Sequence, residues 1–177
     1  KRQHTVKVQD LPYGRFRDKG TPIDNLGNYS SAAEQMVYVD SLENIRSHKL
    51  LFVSRAGMAK QVDGSEFDVV KRTISATKLS DETDRLVFAG VCDESEYVVL
   101  QSGDGCFLKF LVQEVPEKKK AAIGVRGIRL SDGDYVEHAY LISSGMECRI
   151  LYKEKEISLN TRIKSGKRDG KGTKIRV

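Results

Sequence analysis

Ten residues of this chain are echoed by ten others further along. Leu51-Phe52-Val53-Ser54-Arg55-Ala56-Gly57-Met58-Ala59-Lys60 aligns with Val99-Leu100-Gln101-Ser102-Gly103-Asp104-Gly105-Cys106-Phe107-Leu108, setting Gly57 and Gly105 48 residues apart. Downstream, Ala76-Thr77-Lys78-Leu79-Ser80-Asp81 is echoed by Gly127-Ile128-Arg129-Leu130-Ser131-Asp132, with the two leucines 51 residues apart. A period near fifty residues filled with short strands is the mark of a propeller-like array. It places function on surfaces that recur rather than in a single pocket.

Strand signals dominate: Val6–Val8, Met36–Val39, Leu50–Val53, Leu86–Val91, Tyr97–Leu100, Cys106–Leu111, Tyr135–Ile142, Arg149–Tyr152 and Ile157–Ile163 are short and rich in β-branched or aromatic residues. Turns separate them at Arg55-Ala56-Gly57, Ser102-Gly103-Asp104-Gly105, Ser131-Asp132-Gly133-Asp134 and Ser143-Ser144-Gly145. Ser41–His48 is the one short-helix candidate. The pattern predicts an all-β chain of about three to four four-stranded units: a partial one over 1–48, full ones over 49–93 and 94–144, and a partial one over 145–177. Both ends fall inside a unit, as expected of a portion of a longer protein or of terminal units that share strands.

With 39% hydrophobic and 31% charged residues, the composition suits small units that keep much of their surface wet. The formal charge of +5 is uneven. Nine basic residues lie between Lys153 and Val177 against Glu154, Glu156 and Asp169, while the rest of the chain is close to neutral. A field concentrated in this way favours a polyanionic partner. The three cysteines lie far apart without a CxxC; Cys106 and Cys148 sit in apolar strand patterns and read as buried thiols. No leader or long apolar run is evident, which predicts a cytoplasmic protein with no membrane contact.

The connectors carry a resemblance. Ala122-Ile123-Gly124-Val125-Arg126-Gly127-Ile128-Arg129-Leu130-Ser131-Asp132-Gly133-Asp134 resembles a blade connector of the C-terminal domain of bacterial type IIA topoisomerase A subunits, those of DNA gyrase and topoisomerase IV. Leu50–Gly57 resembles the opening strand of such a blade. The resemblance covers nearly the whole chain. It implies a β-pinwheel, a propeller-like ring whose neighbouring blades exchange strands and whose basic rim bends or wraps duplex DNA. It implies no catalytic residue, metal or cofactor in this domain. The cleaving tyrosine belongs to the rest of the A subunit, and ATP and Mg act through other domains, ATP hydrolysis being the work of the partner B subunit. Gly166-Lys167-Arg168-Asp169-Gly170-Lys171-Gly172 is similar to the gyrase signature loop, glutamine-arginine-arginine-glycine-glycine-lysine-glycine, but has Gly166 for the glutamine and Asp169 for a glycine. It also comes late in the chain rather than in the first blade. These departures favour a topoisomerase IV-like subunit.

The residues make the same case from below. Bending DNA needs phosphate contacts spread along a path, with little reading of bases. Candidates are Arg15, Arg17 and Lys19 in the first unit and Lys60 and Lys109 on second strands. Lys71, Arg72 and Lys78 lie in one connector, and Lys118, Lys119, Lys120, Arg126 and Arg129 in the next. Arg162, Lys164, Lys167, Arg168, Lys171, Lys174 and Arg176 lie in the last. Gly124, Gly127, Gly170 and Gly172 are expected to let the backbone approach phosphates closely. A protein-docking propeller, the alternative, calls for aromatic and apolar loops where these connectors are Lys, Arg and Gly. A propeller enzyme needs convergent His and carboxylate groups on inner strands, and the pattern has none. His4, His48 and His138 stand apart without metal-ligand spacing, and Asp132-Gly133-Asp134 lacks the later ligands of a calcium loop.

Overall fold

The computed structural model describes residues 1–176. In chain order the elements are β1 (Arg2–His4), α1 (Leu42–Arg46), β2 (Lys49–Ser54), β3 (Met58–Asp63), β4 (Thr73–Ser75), β5 (Leu86–Val91), β6 (Ser95–Ser102), β7 (Cys106–Leu111), β8 (Val125–Arg126), β9 (Val136–Ser143), β10 (Arg149–Tyr152), β11 (Lys155–Ser158), α2 (Leu159–Arg162) and β12 (Thr173–Lys174). They form two four-stranded antiparallel sheets, ordered β5-β2-β3-β8 and β12-β7-β6-β9, and two two-stranded ones, β1-β4 and β10-β11.

The apolar strands are continuous rather than alternating because both faces of each sheet are covered. From β2, Leu50 and Phe52 pack with Val62, Phe67, Ala76 and Ala89. Leu51 and Val53 face the other way, joining Val98 and Leu100 of β6 and Leu108 and Phe110 of β7. Val99 and Phe107 then turn to Tyr152, Ile157, Leu159, Ile163 and Ile175. The sheets thus stack face to face with an apolar layer at each joint. The hairpin turns repeat as well: Gly57 and Gly105 adopt φ of 81° and 80°, a left-handed backbone open to glycine without strain.

Strand exchange is written into the hydrogen bonds. β8 lies beyond the second hairpin in sequence yet pairs with β3 of the first, Met58 opposite Arg126 and Ala59 opposite Val125. β12 pairs with β7 in the same register, Cys106 opposite Lys174 and Phe107 opposite Thr173. β4 does the same for β1, Gln3 lying opposite Ile74. These pairs make the all-β pinwheel architecture concrete.

Three local expectations are corrected. The first strand covers Arg2–His4, and Val8–Asp10 is a 3-10 turn instead of strand. Met36–Val39 is unpaired: Tyr38 packs against the core while Val39 is exposed, leaving one anchoring side chain and no partner strand. Ile157–Ile163 breaks after Ser158 into α2, because Leu159 and Ile163 reach one apolar layer from positions four apart, a single helical turn. The short helix forms inside the expected stretch, with the Ser41 hydroxyl accepting from the Asn44 N–H at 3.2 Å. All three cysteines are free thiols, but Cys92 is the buried one; Cys106 and Cys148 are half-buried. Burial pushes the Cys92 thiol up to about 12. Among the described residues, no helix is long and apolar enough to cross a membrane.

Candidate nucleic-acid interface

The exchanged strands β4, β8 and β12 each form an edge of their sheet, and basic residues gather beside every one. Lys71 and Arg72 precede β4, and Lys78 follows it. Lys118, Lys119 and Lys120 precede β8, Arg126 lies in it and Arg129 follows. Lys164, Lys167, Arg168 and Lys171 precede β12, Lys174 lies in it and Arg176 follows. The opposite edges, β5 and β9, carry Glu137 and no lysine or arginine. In the two four-stranded sheets the exchanged-strand edge therefore gathers the cations, while the opposite edge has only Arg85, just before β5, immediately beside it. Lys71, Arg72, Lys78, Lys119, Arg126, Arg129, Arg162, Lys164, Lys167, Lys171, Lys174 and Arg176 are exposed, and Lys118 is half-buried. Arg15, Arg17 and Lys19 are exposed too, on an irregular segment in which Asp18 accepts the Arg15 N–H at 2.6 Å.

Lys60 and Lys109, expected to point outward, do not. They are 2% and 7% exposed. Lys60 lies opposite Phe52 on a covered face, and its ammonium donates to the carbonyls of Lys119, Lys120 and Ala122 at 3.2, 2.8 and 2.7 Å. Lys109 donates to the Asn160 carbonyl at 2.6 Å. Their stems cover apolar surface while the charged heads are capped by backbone oxygens. Desolvation lowers the pKa of both, that of Lys60 to about 8.

Two further candidates are joint residues. The Lys120 N–H donates to the Glu66 carboxylate at 3.0 Å and its ammonium to the Glu66 carbonyl at 2.7 Å. Arg168 and Glu114, each 48 residues on, repeat both contacts, at 2.9 Å each. Glu66 and Glu114 escape a reading directed at basic residues, yet their shared 48-residue spacing from one joint to the next is a signal in the sequence. Other cations are loosely paired, Arg72 with Asp10 at 3.7 Å and Lys119 with Glu66 at 3.5 Å. Arg126 donates from Nε and Nη2 to the two oxygens of Asp169, the latter at 3.1 Å, and Arg129 lies 3.6 Å from the same carboxylate. The Arg126 guanidinium holds the Asp169 carboxyl below the usual carboxylate range.

The connector glycines serve the fold where phosphate approach was expected. A Cβ on Gly124 would lie 2.5 Å from the Ala59 carbonyl oxygen, and one on Gly172 would lie 2.8 Å from that of Phe107. Both pairs are again 48 apart: β8 and β12 each need glycine to lie against the strand they join, β3 and β7.

Chemically, this surface offers point charges and guanidinium forks to an extended anion. Among the described residues, no group of three or more His, Cys, Asp and Glu could hold a metal ion.

Comparison with known proteins gives a consistent result. A family model described as the DNA gyrase C-terminal domain, beta-propeller, matches residues 48–93 and 96–143, more than half of the chain. The A subunit of DNA gyrase from Metamycoplasma arthritidis is 28% identical over 150 residues, covering 80% of this chain and 17% of that protein. The A subunit of DNA topoisomerase 4 from Streptococcus pneumoniae is 26% identical, covering 77% of this chain and 17% of that protein. A crystal structure of the C-terminal domain of DNA topoisomerase IV superposes with a TM-score of 0.80 at 25% identity, covering 95% of this chain and 53% of that one. The chain thus spans less than a fifth of these relatives and about half of that domain.

Proposed function

The chain belongs to the DNA gyrase C-terminal domain family, and from that premise we propose that it is a non-catalytic module that bends duplex DNA along its basic blade edges. The parent is then a type IIA topoisomerase A subunit, and the module presents DNA for strand passage. DNA cleavage by a tyrosine lies elsewhere in that subunit, and ATP is hydrolysed by a partner B subunit. The observation that carries the reading is the recurrence of exposed Lys and Arg beside β4, β8 and β12. Smooth bending of a short duplex by 40–90° costs on the order of 1–6 kcal/mol, so contacts must recur along the path to offset it. Each neutralised phosphate adds roughly 0.9 to the log–log salt dependence of binding.

Within this family we assign the chain a topoisomerase IV-like, bending role over full gyrase-type wrapping. Gly166 and Asp169 support this, since both depart from the gyrase loop and Asp169 places a carboxylate on the basic edge. The test is ligation of nicked plasmid in the presence of the 177-residue chain. DNA binding with an unshifted topoisomer distribution is expected. A shifted distribution would establish chiral wrapping and overturn the topoisomerase IV-like assignment; no binding even at low salt would overturn the DNA reading.

A further inference from the structure

The Arg126–Asp169 contact joins two blades through a geometry that also suits a different ligand. Two guanidinium donors of Arg126 address two oxygens of one carboxylate, and Arg129 approaches the second oxygen. This fork is the arrangement in which arginine takes a phosphate. The contact is open to solvent: the Arg126, Arg129 and Asp169 side chains are 54%, 53% and 31% exposed.

Backbone contacts hold the loop around Asp169 without its side chain. The Asp169 N–H donates to the Gly127 carbonyl at 2.8 Å, and the Arg129 N–H donates to that of Gly170 at 2.8 Å. Arg168 adds a bond from its guanidinium to the Arg126 carbonyl at 2.7 Å. The preceding joint dispenses with the carboxylate altogether. There Lys78, 51 residues before Arg129, donates its N–H to the Lys120 carbonyl at 3.2 Å, and the loop carries Ala121, 48 residues before Asp169. Both loops close the same turn, Ala122 N–H to Lys119 carbonyl and Gly170 N–H to Lys167 carbonyl. Among the described residues Lys78 has no ion-pair partner.

We propose that Arg126 and Arg129 form a seat for a backbone phosphodiester of duplex DNA, and that the Asp169 carboxylate occupies this seat in the free protein. The inference rests on the DNA-binding reading. Phosphate must displace Asp169 to enter, so this joint contributes less to binding than its exposed arginines suggest. Asp169 has φ of 66°, a backbone that asparagine also accepts, so Asp169→Asn opens the seat without straining the loop.

The experiment measures the affinity of the 177-residue chain for a short mixed-sequence duplex across a sodium chloride series. The chains compared are wild type, Asp169→Asn, Arg126→Ala and Asp169→Asn/Arg126→Ala. Glu94→Gln, an exposed carboxylate in the β5–β6 turn, is the charge-matched control. Asp169→Asn is expected to bind roughly tenfold tighter, with a salt slope steeper by about one phosphate. Glu94→Gln gives less than half the gain on a logarithmic scale and no change of slope. Arg126→Ala costs little in wild type but abolishes the gain in Asp169→Asn. Equal affinities and slopes for Asp169→Asn and Glu94→Gln would overturn the seat while leaving wild-type binding, and hence the function, intact. So would a gain that survives Arg126→Ala. Lack of binding by both wild type and Asp169→Asn would overturn the two together. Circular dichroism melts verify that each variant is folded.

Discussion

Replacing Gly124 by alanine is expected to lower the unfolding free energy by about 3 kcal/mol, near the upper range for forcing extra volume into a packed site. The new Cβ would stand 2.5 Å from the Ala59 carbonyl oxygen and 2.8 Å from its carbon. Those atoms are backbone of β3, which β2 holds on its other side, so no side chain can rotate away. The exchanged strand has to lift instead, loosening the pairs Ala59–Val125 and Met58–Arg126 and the Gly127 N–H bond to the Gly57 carbonyl. Gly172→Ala repeats the conflict one blade on and adds the strain of φ at 73°. Gly14→Ala, whose Cβ would meet only Asp18 at ordinary contact distance, should change stability by less than about 0.5 kcal/mol. Urea denaturation of the three variants checks this. A Gly124→Ala protein as stable as Gly14→Ala would remove the close approach on which the exchange depends.

Lys60→Met should cost about 2 kcal/mol, because it leaves the Ala122 carbonyl without a donor and the carbonyls of Lys119 and Lys120 with only the backbone N–H groups of Ala122 and Lys78. The same change carries a pH signature. Burial lowers the Lys60 pKa to about 8, against about 10.4 for an unfolded lysine. Between those values the unfolded chain binds more protons at this position than the folded one, so its contribution to stability rises with pH. That contribution is complete above the unfolded pKa and is lost as pH falls through the folded one. The stability difference between wild type and Lys60→Met should therefore grow from pH 8 towards pH 10. A difference that stays flat or shrinks over that range would mean that the ammonium is not held dry between the strand and the connector.

The architecture was largely legible because its period is encoded in turns. Gly57 and Gly105 mark equivalent hairpins, and the apolar runs of β2 and β6 declare sheets covered on both faces. The offset of 51 residues between the first connectors, against 48 between the hairpins, also has a structural meaning. Ile74 and Val125 occupy matching places in the exchanged strands β4 and β8, 51 residues apart, whereas β8 and β12 follow at 48.

The basic edge was legible as a population of lysines and arginines but not residue by residue. Composition cannot say which face of a strand is covered, so Lys60 and Lys109 looked like their exposed neighbours. Their partners are main-chain carbonyls about fifty or sixty residues away, and carbonyls leave no trace in side-chain spacing. Lys120 and Arg168 were hidden for a related reason, since a joint residue and a phosphate contact call for the same charge. The short stretches at Met36–Val39 and Ile157–Ile163 failed because tertiary partners decided them. One found no strand to pair with, and the other found an apolar layer that a single turn of helix reaches.

On the proposed function, the edge carrying β4, β8 and β12 is the one that meets DNA. The most direct measurement compares two triple variants of equal net charge in duplex binding across a salt series. In one, Lys78, Lys167 and Lys171 on the exchanged-strand edge become glutamine; in the other, Arg85, Lys153 and Lys155 away from it do so. The first variant is expected to lose up to about 2.7 from the log–log salt slope, one step per phosphate contact, while the second keeps the wild-type slope. Equal slopes in the two variants, or a larger loss in the second, would contradict it.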